Sequence, residues 1–124
     1  MSAIYWFEIP VEDIERATAF YNTVLDADMK AMDLTESIGT VVAMIPDRGG
    51  VGGMLVQGKA QGYIPSQEGA LLYLNVAEPL DGVLARVEEA GGNVLLPKTS
   101  LGEHGWTAWI ADTEGNRVGL RATA

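Results

Sequence analysis

Two side chains in this sequence could transfer protons near neutral pH: the carboxylate of Glu8 and the imidazole of His104, which is the only histidine. Side chains alternate along Ala3–Ile9, which predicts a strand with Trp6 and Glu8 on the same side. A carboxylate in so apolar a strand must be hydrated or paired, because burying an isolated charge is costly. His104 precedes another predicted strand and could assist Glu8 in proton transfer to or from a substrate.

Both residues also have structural interpretations. Glu8 could bind a backbone amide or a lysine, and His104 could simply lie in a surface loop. A metal site formed by Glu8, His104 and Glu103 is a third alternative, but these donors lack the regular spacing that is typical of protein metal sites. Proton transfer and a purely structural role therefore both stay open at this point.

Aromatic and sulfur-containing side chains offer material for an apolar binding site. The predicted ligand-binding residues are Trp6, Met54, Leu71, Tyr73 and Trp106. Tyr73 follows Leu71 by two positions and therefore shares its side of a strand. Trp106 and Trp109 point to opposite sides of one strand, so only one of them can line the site. We expect Trp109 to pack against a helix or a second subunit.

Two further groups could contact a ligand. Arg117 and Arg121 share the side of Gly119 on the last predicted strand, where one of them could bind an anionic ligand or pair with Glu8. Tyr63 lies in a long loop and could belong to a lid, although the loop could equally be a linker.

The composition is that of one globular domain with an acidic surface. The chain has 124 residues, of which 48% are hydrophobic, and a formal net charge of −9. Nucleic acids and anionic membranes bind clustered Lys and Arg, so neither is an expected partner. No apolar run is long enough for a spanning helix and no basic-then-apolar leader is present, so we expect neither a membrane segment nor a signal peptide. The absence of cysteine excludes disulfide and thiol chemistry and agrees with a cytoplasmic location.

Hydrophobic periodicity places these residues on a regular series of strands and helices. After the first strand, Asp13 is expected to cap a helix that extends to Leu25 and has one apolar face. The other predicted strands are Met29–Thr35, Gly39–Ile45, Gly52–Val56, Ala70–Val76, Val94–Leu96, Gly105–Ala111 and Arg117–Ala122. A second helix is predicted over Leu80–Ala90, and a hairpin turn over Asp112–Asn116.

The order of elements repeats once along the chain. Ile9–Val11 matches Leu74–Val76 at an offset of 65 residues, and three glycines of each half match at an offset of 66. The matched glycines are Gly39, Gly49 and Gly53 with Gly105, Gly115 and Gly119. The sequence therefore predicts an α+β fold of two βαβββ modules, residues 1–57 and 70–124, joined by loop 58–69 in a single domain.

This arrangement resembles the vicinal oxygen chelate superfamily. That family includes lactoylglutathione lyases, extradiol dioxygenases, methylmalonyl-CoA epimerases, and fosfomycin and bleomycin resistance proteins. Two segments carry the resemblance, which covers essentially the whole chain. Val11–Tyr21 matches the family's strand–Asp–helix–Phe–Tyr opening, and Asp112–Asn116 matches its closing hairpin with Thr113 in place of proline. The resemblance implies a curved mixed sheet that forms a cup, and a homodimer in which the cup is built within one chain or across two.

The resemblance also bears on cofactors. The metal enzymes of the family place one ligand on the first strand and one on the last strand of each module. These positions map onto Trp6, Gly53, Leu71 and Gly119. The side chains of tryptophan and leucine offer no donor for a divalent metal, and glycine has no side chain. The resemblance therefore implies a branch of the family without the usual metal centre, and no metal or other cofactor is expected.

Three functions are compatible with these observations. The first is a small-molecule-binding protein with a metal-free aromatic cup, similar to the bleomycin resistance members of the family. The second is a lyase- or isomerase-type enzyme that acts on a small carbonyl substrate, with Glu8 as base and His104 assisting. The third is a non-catalytic interaction module. The ligand itself is not identified by the sequence.

Overall fold

The computed structural model describes all 124 residues, which form eight strands and three α-helices. The strands are β1 (Trp6–Pro10), β2 (Ala31–Leu34), β3 (Thr40–Ile45), β4 (Gly52–Gln57), β5 (Tyr73–Asn75), β6 (Asn93–Ser100), β7 (Trp106–Ala111) and β8 (Arg117–Ala122). The helices are α1 (Ile14–Leu25), α2 (Thr35–Ile38) and α3 (Leu80–Glu89). None of them combines the length and the apolar composition that crossing a membrane requires.

The strands form two four-stranded sheets of the same topology. The strand order is β1-β4-β3-β2 in the first half of the chain, module 1, and β5-β8-β7-β6 in the second half, module 2. In each sheet the first strand runs parallel to the last, and the other neighbours are antiparallel. The predicted α+β fold of two βαβββ modules is therefore confirmed.

Helix α1 forms as the sequence predicts. Asp13 caps it by accepting hydrogen bonds from the backbone N–H groups of Glu15 and Arg16, both 3.1 Å long. The buried residues of the helix are Ile14, Ala17, Thr18, Phe20, Tyr21, Val24 and Leu25. Ile9 of β1 belongs to the same core, whereas Tyr5 precedes β1 and is 92% exposed.

One hydrophobic core joins the two modules. Helix α1 contacts the sheet of module 1, α3 contacts the sheet of module 2, and the two helices contact each other. The core cluster contains 22 buried residues drawn from both modules. Because the helices lie between the sheets, the side of each sheet that faces away from its helix also faces away from the other module.

Element boundaries differ from many of the predicted ranges, and β5 spans only Tyr73–Asn75 where Ala70–Val76 was predicted. β1 begins at Trp6 rather than Ala3, and Thr35–Ile38 forms the short helix α2 instead of a strand end and turn. β6 spans 8 residues, many more than the predicted Val94–Leu96. Its pairing with β7 shifts register twice, and such irregularities allow a strand to contain a proline, here Pro97.

The internal repeat has a constant offset of 65 residues, which corrects the three glycine matches predicted at an offset of 66. Gly119 pairs with Tyr73, whereas Glu8, 65 positions before Tyr73, pairs with Met54. The position equivalent to Gly119 is therefore Met54 and not Gly53. Gly53 lies on the side of the sheet that faces the helix, where a Cβ atom would collide with the ring of Phe7. The matched glycines suggested a one-residue insertion that the strand pairing does not contain.

The buried carboxylate of Glu114 binds module 2 to the beginning of α1 through several hydrogen bonds. Glu114, in the turn between β7 and β8, accepts hydrogen bonds from the backbone N–H groups of Glu12 and Asp13 at 2.9 and 2.8 Å. The same carboxylate accepts a hydrogen bond from Nε of Arg16 at 2.7 Å. Burial by itself would raise the pKa of Glu114, but the bonds from Arg16 and the backbone outweigh it and lower the pKa below its ordinary value.

Two neighbouring side chains of the same turn extend this contact. Asn116 donates a hydrogen bond to the carbonyl of Pro10 at 2.7 Å, and Asp112 accepts one from the Tyr21 hydroxyl at 2.7 Å. Burial and the charge of Asp112 raise the pKa of the Tyr21 hydroxyl well above its ordinary value. The turn therefore satisfies polar groups at both the first strand and the first helix of module 1.

The corresponding turn of module 1 makes no such contact with α3. The 65-residue offset relates the β7–β8 turn to residues 47–51, where Gly49 takes the place of Glu114. A groove of about 680 Å³ separates this loop from residues 72–77, and its lining includes Phe7. Gly49 has no side chain that could reach across this groove to the other module.

We expect the substitution Glu114→Ala to lower the free energy of unfolding by about 2–4 kcal/mol at neutral pH, because two backbone N–H groups and Arg16 lose their acceptor. The pKa of Glu114 is lower in the folded than in the unfolded protein. Its contribution is therefore present above the unfolded value, near 4.5, and is lost as the pH falls through the lowered folded value.

Chemical denaturation measured as a function of pH checks both statements. Glu89→Ala, which removes an exposed carboxylate of α3, serves as the control and is expected to change little. Equal stability of Glu114→Ala and the unmodified protein at neutral pH would contradict the role assigned to this carboxylate.

Candidate functional site

Each sheet has one side that faces away from the helices, and we call these sides the two open faces. On the open face of module 1, Met54 pairs with Glu8 on one side and Met44 on the other. Trp6 and Met32 share this face by register. Trp6, Met32 and Met44 are 41–45% exposed, which is unusual for large apolar side chains. Thioethers adapt their shape to flat apolar groups, so this face is suited to an apolar ligand.

Glu8 is the only charged side chain that strand register places on the open face of module 1. It accepts a hydrogen bond of 2.7 Å from the hydroxyl of Tyr63, in the segment that connects the modules. This hydrogen bond raises the pKa of Tyr63 above its ordinary value. The connecting segment therefore lies over one part of the open face, and Glu8 has neither of the partners predicted for it, a lysine or a backbone amide.

The open face of module 2 is built around one glycine. Gly119 pairs with Tyr73 in β5 and with Trp109 in β7. A Cβ atom at position 119 would collide with the ring of Tyr73, so the absence of a side chain makes room for that ring. Trp109 Nε1 donates a hydrogen bond of 2.8 Å to the Tyr73 hydroxyl, which fixes the two aromatic side chains relative to each other.

Two arginines lie on the same open face. Arg117 lies over the ring of Trp109, with 5.3 Å between its guanidinium carbon and the ring centroid. Arg121 donates a hydrogen bond of 3.1 Å to the carbonyl of His104. Neither arginine forms an ion pair with a carboxylate. The predicted placement of both arginines on the side of Gly119 agrees with the register of β8.

The structure reverses the predicted placement of two tryptophans. Trp109 lies on the open face, whereas Trp106 pairs with the core residue Ala122 and packs against the hydrophobic core. The Trp106 ring also lies 4.5 Å from Nζ of Lys98. The structure therefore places Trp109 and not Trp106 on the open face; strand parity alone could not say which side of β7 faces the helix.

His104 and Glu8 are not brought together within one chain. His104 lies in an exposed 3₁₀ turn, Gly102–His104, and its nearest carboxylate is that of Glu103 at 3.8 Å. Glu8 is hydrogen-bonded to Tyr63 instead. The pairing of Glu8 with His104 for proton transfer has no geometric support within the chain.

The residues at the metal-ligand positions do not suit a divalent metal. With the corrected register these positions hold Trp6, Met54, Leu71 and Gly119. A thioether is a soft donor and the other three offer none. Nowhere in the chain do three His, Asp or Glu side chains converge as a metal site would need. The ring of Tyr73 occupies the space where a side chain at position 119 would lie.

Sequence reasoning missed Met44 and Met32 as members of the open face. Their strands were predicted, but alternation gives only the two sides of each strand and not the side that meets the helix. The cross-strand partners Met44 and Met54 become neighbours only once the register of β3 and β4 is known. The signal that could have identified them is the low polarity of both sides of β3.

We expect Gly119→Ala to displace the Tyr73 ring and to lower the free energy of unfolding by about 1–3 kcal/mol, because the added methyl group has no space. Gly82→Ala in α3 is the matched control. Nothing lies within 4 Å of its added Cβ, and the change should stabilise the helix by about 0.5–1 kcal/mol. Denaturant unfolding measures both changes, and the indole N–H resonance of Trp109 reports loss of its hydrogen bond. An unchanged resonance in Gly119→Ala would contradict this packing.

The comparisons with known proteins identify the family. The model of the Glyoxalase/Bleomycin resistance protein/Dioxygenase superfamily matches residues 3–120. A comparison with curated proteins finds no match to this chain. Among solved structures, a glyoxalase/bleomycin resistance protein/dioxygenase family enzyme from Burkholderia phytofirmans PsJN is 19% identical, with a TM-score of 0.68 and coverage of 96% of this chain and 97% of that chain.

Two further structures are similar in fold. A genomically encoded fosfomycin resistance protein from Listeria monocytogenes is 13% identical, with a TM-score of 0.67 and coverage of 100% of this chain and 95% of that chain. A glyoxalase I mutant from Zea mays is 18% identical, with a TM-score of 0.66 and coverage of 96% of this chain and 46% of that chain. Identities this low indicate a common fold alone. The family model covers nearly the whole chain, and the chain therefore belongs to the glyoxalase/bleomycin resistance protein/dioxygenase superfamily.

Proposed function

We propose that this protein binds a small apolar or aromatic molecule, without a metal, in a cup formed by the open face of module 1 of one copy and the open face of module 2 of a second copy. The observation that carries the proposal is the exposure of large apolar side chains on both open faces. Trp6, Met44 and Tyr73 are 41–47% exposed in the single chain. Contiguous apolar surface of this kind marks binding sites in soluble proteins.

The arrangement of the helices supports a cup that is shared between two copies. Because α1 and α3 contact each other between the sheets, the two open faces of one chain are turned away from each other. A ligand that lies on one open face would therefore stay exposed to water on its other side. A second copy can cover it with its own open face, and twofold symmetry would then produce two equivalent cups.

Charge and strand pairing also favour a second copy as the covering partner. The open face of module 1 carries the carboxylate of Glu8, and the open face of module 2 carries Arg117 and Arg121. These charges are complementary when faces from two copies meet. In addition, β1 and β5 are edge strands that pair with only one neighbour each, and exposed edges invite pairing with another chain.

The residues that stand at the family's metal-ligand positions support binding without a metal. Trp6, Met54 and Leu71 contribute apolar surface at those positions, and Gly119 makes room for an aromatic ring. The same positions that would hold a metal in other members therefore contribute to an apolar cup here.

A lyase- or isomerase-type activity on a small carbonyl substrate is the second candidate. The observation that favours it is the hydrogen bond between Glu8 and Tyr63, which places a carboxylate base beside a phenolic acid on the open face of module 1. An enzyme of this type would exchange the enolisable protons of small aldehydes or ketones for deuterium in heavy water. Exchange that persists unchanged in Glu8→Gln would exclude Glu8 as the base.

A non-catalytic interaction module remains the third candidate, and a comparison of two variants separates it from the first. Met44→Glu introduces a charge on the open face of module 1, whereas Ile38→Glu introduces the same charge on α2, which belongs to neither sheet. Met44 is 45% exposed and Ile38 53% exposed, so the two changes are matched in environment.

We expect the unmodified protein to sediment as a dimer at micromolar concentration and to be stabilised against heat by small aromatic compounds. Ile38→Glu should keep the ligand-induced rise in Tm, and Met44→Glu should lose it because the charge must be desolvated in the cup. Analytical ultracentrifugation and thermal unfolding provide these measurements. A monomer that no aromatic compound stabilises would overturn the proposed function.

A further inference from the structure

We propose that Arg117 binds the carboxylate of a small aromatic acid, whose ring lies against Trp109 and Tyr73 on the open face of module 2. This inference rests on the proposed function and names the chemical class of its ligand. It follows from one unpaired donor, from the distribution of charge and from the arrangement of the aromatic side chains.

Arg117 has a hydrogen-bond donor that the chain leaves without an acceptor. Its Nε atom is buried and has no partner. The one hydrogen bond from its guanidinium goes from Nη2 to the carbonyl of Gly69 and is long, at 3.4 Å. A buried donor without an acceptor is destabilising, and native proteins seldom keep one without a reason. Nε has no surface that a ligand can reach, so a ligand would bind the outer Nη groups, whose one hydrogen bond within the chain lies at an exposed position. A carboxylate can accept from two N–H groups of one guanidinium, so it is the acceptor that best fits this end of the side chain.

The charge on this face is opposite to that of the whole protein. The chain has 17 acidic and 8 basic residues, apart from its histidine. The side chains that register places around Arg117 on β5, β7 and β8 include no acidic residue; they are Tyr73, Asn75, Thr107, Trp109, Ala111, Gly119 and Arg121. An anion would therefore meet attraction on this face and repulsion over most of the remaining surface.

The aromatic side chains extend away from Arg117 in a fixed order. The guanidinium contacts the ring of Trp109, and the indole N–H of Trp109 is bonded to the hydroxyl oxygen of Tyr73. Tyr73 uses an oxygen lone pair in that bond, so its own O–H remains free to donate. A ligand that places its carboxylate on Arg117 can therefore lay an aromatic ring along Trp109 and reach the Tyr73 hydroxyl.

One competing explanation uses the same arginine. If Glu8 of a second copy forms an ion pair with Arg117, the guanidinium serves the dimer rather than a ligand. That arrangement predicts that Glu8→Gln and Arg117→Gln weaken dimerisation to the same extent, and that the charge of a ligand has no effect on its affinity.

Three compounds of nearly equal shape test the proposal: naphthoate, the neutral naphthamide and the cationic naphthylmethylammonium. Tryptophan fluorescence and isothermal titration would measure their binding to the dimer. We expect naphthoate to bind at least about tenfold more tightly than naphthamide, as one charge-assisted contact implies, and the cation to bind most weakly. Arg117→Gln should abolish the preference for naphthoate, and Arg117→Lys should keep part of it.

Lys98→Gln is the control for a change in total charge, because Lys98 lies over Trp106 and binds Asp81 of α3, away from both open faces. It should keep the preference for naphthoate. Thermal unfolding of each variant shows whether Arg117→Gln folds, and Arg117→Lys keeps the test valid if it does not. Equal affinity for all three compounds, or a preference that survives Arg117→Gln, would overturn this inference and leave the proposed function intact. Failure of all three compounds, together with a monomeric protein, would overturn both.

Discussion

The fold depends on a buried carboxylate at the junction of its two halves. Glu114 belongs to the last turn of module 2, yet its partners are the backbone at the beginning of α1 and the guanidinium of Arg16. Burying a charge without such partners would cost several kcal/mol, so the carboxylate specifies where module 1 must lie. Asp112 and Asn116 add hydrogen bonds to the same junction, with Tyr21 and Pro10.

The position of the two open faces follows from this junction. Because the turn holds module 1 by the beginning of α1, the helices meet between the sheets, and the opposite side of each sheet is left to solvent. Several large apolar side chains on those sides remain 41–47% exposed in the single chain. Another molecule can bury this exposed apolar surface. The way in which the core packs therefore determines where the proposed site lies.

Glycine at position 119 makes room for the ring of Tyr73 on the open face of module 2. In the metal enzymes of the superfamily this position carries a ligand, as the resemblance implies, whereas here its empty space is filled by the ring of Tyr73. That ring in turn accepts the hydrogen bond that orients Trp109, over which Arg117 lies. A single substitution of glycine would therefore disturb the whole open face of module 2.

The sequence predicted the fold more completely than the site. Periodicity located α1 and α3, and the repeat revealed the two modules, because both depend on local patterns such as the Asp13 cap. The choice between Trp106 and Trp109 could not be made from the sequence, because parity gives two sides of a strand without saying which one meets the core. Likewise the role of Glu114 could not be predicted from the sequence, since its partners lie about 100 positions away.

Complementation between two defective variants tests the central claim, a cup shared between two copies. Met44→Glu disables the open face of module 1, and Arg117→Gln lowers the affinity of the open face of module 2 for naphthoate about tenfold, so naphthoate is titrated at concentrations that fill only intact cups. In a shared cup, a mixed dimer of the two variants has one intact cup. Mixed subunits at equal concentration should then recover about a quarter of the naphthoate sites of the unmodified protein, since half of the dimers are mixed and each has one of two cups. Titration of naphthoate after subunit exchange measures this number, and no recovery of binding would contradict a cup built across two chains.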